Sequence, residues 1–354
     1  MVKKTVYFFS FSLDENSAAD YFISLCNELA KVHTVIIIAN KVRNTNVPLS
    51  EKIKVFKWPS NNPRKIRDFY FLIKLVLNYK PSFMVSIFSS VNIFLIVGWL
   101  FHVKNRIAWI RSLSTQFHYN KFLVFRKSII LRLATRVFVN STATLEDASQ
   151  FYQIDKQKMS IIYNSVMDYN LVVDNNISYL PNKILYVGRL HHSKGIDILI
   201  KAIAILRSEK LELEIIGAGS YKSELKNLVK NLNLEDKVNF VGHKKKSEVL
   251  IYFKKAFCTV VPSFSEAFGY TIIEAMSMKS CVVGANNTGI KETIIHNKTG
   301  LLFETGNPTD LAEKMLYLLR NNAVRDNLAK EGYLRFLSKY EINTRLLEDV
   351  QFYQ

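Results

Sequence analysis

Short apolar runs alternate with longer stretches whose apolar residues recur at helical spacing along most of the chain. The short runs are rich in Val, Ile and Phe, which is typical of buried strands. In the N-terminal half, strands are predicted at 5–9, 34–39, 53–56, 83–88, 106–110 and 136–139. Helices are predicted there at 18–31, 66–79, 92–103, 121–134 and 143–152. This alternation predicts a parallel sheet with helices on both faces.

A polar stretch without a clear period leads from residue 168 to residue 182 and is the candidate linker. A second alternating series starts with a strand at 183–187, and helices are predicted after it at 308–320 and 323–336. We therefore predict an α/β protein with two doubly wound, Rossmann-like parallel-sheet domains, 1–170 and 175–339, which face each other across a ligand-binding cleft. A C-terminal helix at 340–354 is compatible with packing back on the first domain.

The stretch 83–101 carries no charge over 19 residues and approaches the length that spans a membrane. Serines in its first half, and the strand-helix alternation on both sides, favour a buried strand followed by a helix. Contact with a membrane surface through Phe94, Trp99 and Phe101 is compatible with the pattern.

The compartment is predicted from the start of the chain and from its cysteines. The first apolar run lacks a small-residue cleavage site and is followed at once by acids, so we predict a strand and not a signal peptide. The cysteines share no metal-ligand spacing and are expected to be buried, reduced thiols: Cys26, Cys258 and Cys281. A cytoplasmic protein is therefore expected.

The net charge of +18 is concentrated in the first domain, where residues 1–170 hold 23 Lys and Arg against 10 Asp and Glu. From Lys52 to Arg136 there are 16 basic residues and one acid, Asp68. Such a surface attracts anionic lipid or a phosphorylated acceptor, and a basic surface without a partner is the alternative. Nucleic acid is disfavoured because the aromatic residues lie with Ile, Leu and Val at helical spacing. We predict peripheral contact with the inner face of the cytoplasmic membrane.

Two glutamates, Glu266 and Glu274, flank the start of a predicted helix that follows an apolar strand. The N–H groups at a helix N-terminus attract an anion, and an ionised glutamate can accept hydrogen bonds from a pair of hydroxyls. Two solvated acids on an ordinary turn are the alternative interpretation. The residues between the acids are candidates to contact a phosphate-linked ligand: Phe268, Gly269, Tyr270 and Thr271.

Two cations follow the strand at 183–187, where Gly188 and Arg189 come directly after it and Lys194 lies five residues further on. Arg offers a planar fork and Lys a compact charge, so together they can bind a diphosphate at the carboxyl end of a strand. Surface cations that flank a turn are the alternative.

Glycines also end the next two strands. After the first of them, Gly217 starts a turn that lacks the third glycine of a dinucleotide site, because Lys222 stands there, so a tight turn lining the cleft is favoured. After the second, the backbone at Gly242 and His243 is a candidate to contact a base. The lysines at 244–246 are predicted to form a solvated face.

Together these elements resemble the family 4 retaining glycosyltransferases of the GT-B fold. The similar segments are VGRLHHSKGIDILIKAI, LEIIGAGS, VNFVGH, PSFSEAFGYTIIEAMS, GIKE and NKTGLLF. The resemblance implies that Arg189 and Lys194 neutralise the departing diphosphate, that Glu266 contacts the donor sugar, and that Glu274 holds the ribose. It also implies a nucleotide-diphosphate sugar as co-substrate, retained anomeric configuration, no dedicated protein base, and neither cofactor nor metal ion.

The first domain departs from the family pattern. The loop after the first strand has no glycine pair, so contact there would come from serine hydroxyls such as Ser12. Where many relatives carry a histidine near the donor sugar, this chain has Arg111, which either binds an acceptor phosphate or braces its loop; His118 is nearby but off the pattern.

The resulting functional hypothesis is a hexosyltransferase that uses a lipid-linked oligosaccharide acceptor in the biosynthesis of a surface polysaccharide, such as O-antigen, capsule or lipopolysaccharide. Two alternatives stay open. One is a GT-B enzyme with a soluble sugar acceptor, and the other is a non-catalytic scaffold that binds nucleotide sugars.

Overall fold

The structure is a computed structural model that describes residues 4–114, 121–173, 177 and 179–354. The chain divides into two compact units. The first ends at Asn164 and also includes Arg345–Gln354, whereas the second is Ser165–Thr344. His118 and parts of the predicted linker, residues 174–176 and 178, lie outside the described residues.

The first unit is built on a parallel sheet. Its strands are β1 (Val6–Ser10), β2 (Thr34–Ala39), β3 (Lys54–Lys57), β4 (Phe83–Ile87), β5 (Asn105–Ile110), β6 (Arg136–Val139) and β7 (Met159–Ile161). They are ordered β3-β2-β1-β4-β5-β6-β7, and all pairs are parallel. The sequence pattern did not predict β7, because its three residues are too short a run to show a period.

Helices connect these strands. They are α1 (Ser17–Leu29), α2 (Ile66–Tyr79), α3 (Val91–Leu100), α4 (Lys121–Arg132) and α5 (Thr142–Tyr152). Polar caps fix two of the starts, since the Asn16 side chain accepts a hydrogen bond from the Ala19 N–H and Ser141 does the same for Thr144. Apolar residues then join helices to strands, with Phe8, Ile36 and Leu72 in one cluster and Val137 and Ala148 in another.

The uncharged stretch 83–101 forms β4, a short 3₁₀ turn (Phe88–Ser90) and α3. This confirms the predicted strand and helix. The helix ends three residues before its predicted end at Val103, because His102 takes a positive φ of 52°, which is incompatible with a continued helix. Within the described ranges, no helix combines the length and apolar character needed to cross a bilayer.

The last residues of the chain complete the core of the first unit. Tyr353 is fully buried, and its carbonyl oxygen accepts a hydrogen bond from the Tyr7 hydroxyl at 2.5 Å. The Tyr21 hydroxyl donates to the buried Asp349 carboxylate at 2.8 Å. Asp349 also pairs with Arg345 one helical turn earlier. The C-terminal segment is therefore attached by both apolar and polar contacts.

The second unit has its own parallel sheet. The strands are β8 (Lys183–Val187), β9 (Glu212–Ile216), β10 (Val238–Gly242), β11 (Cys258–Val261), β12 (Val282–Ala285) and β13 (Leu301–Phe303), in the order β10-β9-β8-β11-β12-β13. The helices are α6 (Ile196–Ile205), α7 (Lys222–Asn231), α8 (Lys246–Lys255), α9 (Tyr270–Ser277), α10 (Ile290–Thr293), α11 (Pro308–Arg320), α12 (Asn322–Lys339) and α13 (Ile342–Asp349), the last of which enters the first unit. Two Rossmann-like parallel-sheet units confirm the predicted fold class. All three cysteines are buried and free, as predicted.

Candidate functional site

The predicted diphosphate and sugar residues lie at one edge of the second sheet. Because β8 pairs with both β9 and β11, the loops that follow these three strands meet at the carboxyl ends. Backbone hydrogen bonds join the loops: Gly188 N donates to the Ile216 carbonyl, and Phe264 N donates to the Ser193 carbonyl, each at 3.0 Å. The position of each functional side chain is therefore set by its neighbours in the sheet.

Lys194 and Glu266 form an ion pair with 2.5 Å between Nζ and Oε2. They are 72 residues apart in the chain, and their side chains are 16% and 19% exposed. The lysine has three donors and the glutamate about four acceptor sites, so each can contact its partner and a ligand together. The two charges are close enough to act on one bound molecule.

The loop that carries Lys194 is packed tightly against the loop after β11. Gly195 has a positive φ of 62°, and a Cβ at this position would lie 2.1 Å from the Pro262 carbonyl oxygen. Only glycine permits this approach. On the same loop Arg189 is exposed, and its backbone carbonyl accepts a hydrogen bond from the Tyr186 hydroxyl at 2.9 Å. Within the described part of the chain, no carboxylate forms an ion pair with the Arg189 guanidinium.

The loop that carries Glu266 is held by the turn before α10. The Glu266 carbonyl oxygen accepts hydrogen bonds from Gly289 N at 3.0 Å and from the Thr288 hydroxyl at 2.8 Å. Thr293 Oγ1 donates to the Phe268 carbonyl at 3.0 Å. The GIKE segment of the family resemblance thus has a physical role, which is to fix the backbone beside Glu266.

The start of α9 is shaped by Gly269, which has a φ of 95°. The Phe268 ring is buried and packs edge-on against Tyr340, so only the backbone of Phe268 is suited to contact a ligand. Tyr270 and Thr271 are half-buried on the first turn, and Thr271 Oγ1 lies 3.4 Å from the Val187 carbonyl oxygen at the end of β8. The four residues between the two glutamates therefore adjoin the loop with the cations.

Glu274 lies one turn further along α9 and pairs with Lys246, with 2.5 Å between Oε1 and Nζ. Both side chains are only 13% exposed. The lysine Nζ is also 4.6 Å from the centroid of the buried Tyr169 ring. Burial opposes the charged ammonium, but Glu274 and Tyr169 outweigh it and raise the pKa of Lys246 above its ordinary value. The prediction that this lysine lies on a solvated face was wrong.

The remaining donor-side residues follow β9 and β10. Gly217, with a φ of 147°, is so close to the Gly188 carbonyl oxygen that a Cβ would lie 1.8 Å from it. Its N–H donates to the Gly242 carbonyl at 2.9 Å. Gly242 has a φ of 89° with open space beside it, and His243 is exposed. These glycines allow the loops after β8, β9 and β10 to approach one another closely, as expected for tight turns.

The two predicted acceptor-side residues belong to the first unit. The Arg111 guanidinium donates to the Asn164 side-chain oxygen and stacks over the rings of Phe22 at 5.4 Å and Trp109 at 5.6 Å. These contacts favour the bracing interpretation of Arg111. Ser12 is half-buried just after the end of β1. Both lie at the carboxyl edge of the first sheet.

Sequence reasoning missed three residues around the site, which contact Glu274, Glu266 and Lys246 respectively: Lys246, Thr288 and Tyr169. Lys246 is the first residue of α8, so its place at a helix start four residues after the end of β10 was the available signal. Thr288 carried no such signal in the sequence, because a short hydroxyl side chain in a polar turn is common. Tyr169 had none either, since it lies in the predicted linker.

Comparisons with known proteins concern the second unit first. Residues 172–335 match the model of the family described as glycosyl transferases group 1. An uncharacterized glycosyltransferase of Methanocaldococcus jannaschii is 33% identical over 177 residues, which are 50% of this chain and 48% of that protein. The N-acetylgalactosamine-N,N'-diacetylbacillosaminyl-diphospho-undecaprenol 4-alpha-N-acetylgalactosaminyltransferase of Campylobacter jejuni is 32% identical over 209 residues, 58% of this chain and 56% of that protein. The chain matches about half the length of these curated relatives.

A solved structure extends the likeness to both units. HepE of Anabaena, in complex with UDP, has a TM-score of 0.79 with 99% of each chain covered, at 16% identity. At that identity the likeness concerns the fold, which is the GT-B type predicted from the sequence. The second unit thus matches the group 1 glycosyl transferases over most of its length, in agreement with the resemblance in the sequence.

Proposed function

We propose that this protein is a retaining glycosyltransferase that moves a hexose-type sugar from a nucleotide-diphosphate sugar to a lipid-linked oligosaccharide in the biosynthesis of a surface polysaccharide. The observation that carries the proposal is the Lys194–Glu266 pair, a half-buried cation and anion at one strand edge. Arg189 on the same loop and Glu274 on the following helix complete a group of four charges. Such a group suits a ligand that carries a diphosphate beside several hydroxyls.

In the proposed reaction, the bond between the anomeric carbon and the diphosphate oxygen breaks, and its electron pair leaves with the nucleoside diphosphate. Arg189 and Lys194 stabilise that departing charge, each by about 3 kcal/mol of barrier if they act like other preorganised donors. The acceptor hydroxyl attacks from the face that the diphosphate leaves. Its proton passes to the leaving phosphate oxygen, so no protein base is required. Glu266 accepts hydrogen bonds from the sugar hydroxyls and stabilises the positive character of the anomeric carbon.

The test is sugar transfer by the full chain. Purified protein is incubated with UDP-, GDP- and ADP-sugars and an undecaprenyl-diphosphate-linked oligosaccharide, with and without EDTA, and both the released nucleoside diphosphate and the anomeric configuration of the product are measured. Release with retained configuration in EDTA is expected. Lys194→Met and Glu266→Gln should each lower kcat by about 100-fold. Lys201→Met, which removes the exposed lysine of an ion pair on α6, is the matched control.

Four outcomes would contradict the proposal. Full activity in Glu266→Gln would exclude the site, and an inverted product would exclude the mechanism. Nucleotide-sugar binding without transfer to any acceptor would favour the non-catalytic scaffold, whereas transfer to soluble sugars alone would favour the enzyme with a soluble acceptor.

A surface on the first unit supports a membrane-linked acceptor. Helix α3 packs against both α2 and α4, so the three helices form one layer. Large apolar side chains project from it into solvent: Ile66 and Tyr70 of α2 are 79% and 74% exposed, Trp99 of α3 is 51% exposed, and Phe122 and Phe125 of α4 are 69% and 63% exposed. An apolar surface of this kind marks an interaction site.

The charge of the same surface supports an anionic membrane as the partner. Arg67, Lys74 and Arg126 are exposed among these apolar residues, whereas Asp68, the one acid between Lys52 and Arg136, is buried. Exposed aromatic residues beside cations, with no exposed acid, complement anionic lipid headgroups and the acyl chains beneath them. We therefore propose peripheral binding to the inner face of the cytoplasmic membrane, where a lipid-linked acceptor lies.

Vesicle sedimentation tests the membrane contact. Vesicles of phosphatidylcholine with phosphatidylglycerol should bind the protein, whereas phosphatidylcholine alone should not, and added salt should weaken binding. The double variant Phe122→Ser and Phe125→Ser should weaken binding at least about tenfold. Leu334→Ser, an exposed apolar change in the second unit, is the control. Equal binding to both vesicle types, or an unaffected double variant, would contradict the proposal.

A further inference from the structure

We propose that Lys246 is a further positioning residue of the donor site, which holds the Glu274 carboxylate in the orientation that receives the ribose of a nucleotide donor. The Tyr169 ring packs against the Lys246 ammonium. The inference rests on the proposed function, since it takes Glu274 as the ribose-binding residue.

The ammonium of Lys246 is fixed on two sides. Glu274 Oε1 lies 2.5 Å from Nζ, and the Tyr169 ring centroid lies 4.6 Å from it. A lysine has a long, flexible side chain that loses considerable rotamer freedom when it is held in one place. A half-buried carboxylate together with an aromatic face can offset that loss, because both interactions strengthen away from water.

The Tyr169 ring is held in place by contacts within the second unit. Tyr169 begins a 3₁₀ turn (Tyr169–Leu171) whose flanks are held by side chains. The Tyr333 hydroxyl donates to Asp168 Oδ2 at 2.7 Å, and Lys254 Nζ donates to Asn170 Oδ1 at 2.6 Å. The turn is therefore fastened to α12 and α8, which holds the Tyr169 ring in place beside the lysine.

The arrangement repeats the one at the sugar end of the site. Lys194–Glu266 and Lys246–Glu274 are both cross-element pairs with 2.5 Å contacts and similar exposure, and both lie after the carboxyl ends of strands in one sheet. A pair that only braced a helix could lie at its exposed start, as Lys244–Glu248 does at the N-terminus of α8. A carboxylate accepts about four hydrogen bonds, so the ammonium and a diol can share Glu274. With the ammonium on one oxygen, the carboxylate loses the freedom to rotate away from the ribose.

Calorimetric titration of the full chain with UDP and GDP tests this role. Lys246→Met keeps the length of the side chain without its charge and should weaken binding about 10- to 100-fold, as expected for a lost charge-assisted hydrogen bond. Lys246→Arg should recover most of the affinity. Lys245→Met removes the exposed lysine next to it and should leave the affinity unchanged.

Two further measurements separate positioning from a structural brace. In a double-mutant cycle, Lys246→Met should add little to Glu274→Gln, because the lysine acts through that carboxylate. Inorganic pyrophosphate, which lacks ribose, should bind Lys246→Met and the wild type equally. In transfer assays the loss should fall on KM and not on kcat.

The outcomes are distinct. A Lys246→Met protein that melts at a lower temperature but binds UDP or GDP as the wild type does would overturn the inference. An equal loss of pyrophosphate binding would also overturn it, since the lysine would then act at the phosphates. A wild type that binds no nucleoside diphosphate would overturn the proposed function itself.

Discussion

The turn that holds the Glu266 loop makes Gly289→Ala an informative substitution. Gly289 has a φ of −73°, which any residue adopts, so the change introduces no backbone strain at that position. The added methyl group would instead lie 2.4 Å from the Ala267 carbonyl oxygen and 2.7 Å from the Phe268 nitrogen. Because both are backbone atoms, neither can rotate away as a side chain would. The loop that carries Glu266 must therefore move.

The size of the effect follows from that distance. Ordinary contact begins at 3.4 Å, so the loop must shift by about 1 Å. Overpacking of this kind costs about 1–3 kcal/mol of stability. A displacement of about 1 Å at a catalytic group lowers the rate by about 100-fold, since the carboxylate leaves the position that matches the transition state. The shift also strains the hydrogen bonds from Gly289 N and Thr288 Oγ1 to the Glu266 carbonyl.

The assay measures kcat for sugar transfer and the melting temperature of the same preparation. Gly306→Ala is the control, because a Cβ there would meet only the Phe264 ring at 3.4 Å, which is an ordinary contact, while the φ of 83° is strained, so about 1–2 kcal/mol of stability should be lost without a steric shift. If Gly289→Ala melts earlier yet keeps the wild-type kcat, the position of the Glu266 loop does not govern transfer. If neither kcat nor the melting temperature changes, the backbone of Gly289 is not as close to that of Ala267 and Phe268 as the structure indicates.

Two predictions concern titrating groups. Burial raises the pKa of Asp349 to about 6 from an ordinary 3.8, although Arg345 and the Tyr21 hydroxyl act in the opposite direction. The folded state therefore binds this proton more tightly, so its contribution to stability is full below about pH 4 and is lost as the pH rises through about 6. Relative to Asp349→Asn, the unfolding free energy of the wild type should fall by up to about 3 kcal/mol between those limits, and a constant difference would contradict the prediction. Burial also raises the pKa of each thiol, so a disulfide reagent should label none of them in the folded protein and all after denaturation: Cys26, Cys258 and Cys281. Rapid labelling of the folded protein would show that these side chains are accessible.

Much of the fold could be predicted because its strands are buried on both faces. The strand at 34–39 and the helix at 66–79 have the predicted bounds, since their apolar periods are uninterrupted. Element ends were less accurate where a single backbone angle decides them, as His102 does for α3. The three-residue β7 is stabilised by pairing with β6, which no local pattern reveals.

The candidate site, like the fold, could be predicted from the sequence only in part. The chemistry of Arg189, Lys194, Glu266 and Glu274 is readable from the sequence, because a strand end, a glycine and a charged residue stand close together in each motif. Their mutual pairing is not readable. Lys194 meets Glu266 only because β8 and β11 are neighbours in the sheet, although 72 residues separate the two side chains.

Lys246 shows most clearly what cannot be predicted from the sequence alone. By itself the run at 244–246 is typical of a solvated face, and Lys244 does pair on the helix surface with Glu248. Two residues further on, Lys246 starts α8 and lies between Glu274 and Tyr169, which come from two other segments. The sequence alone determined the two-domain fold and the residue types of the site, since these depend on local period and motif. Tertiary structure decided which charges are buried together, because burial depends on what the rest of the chain places beside each side chain.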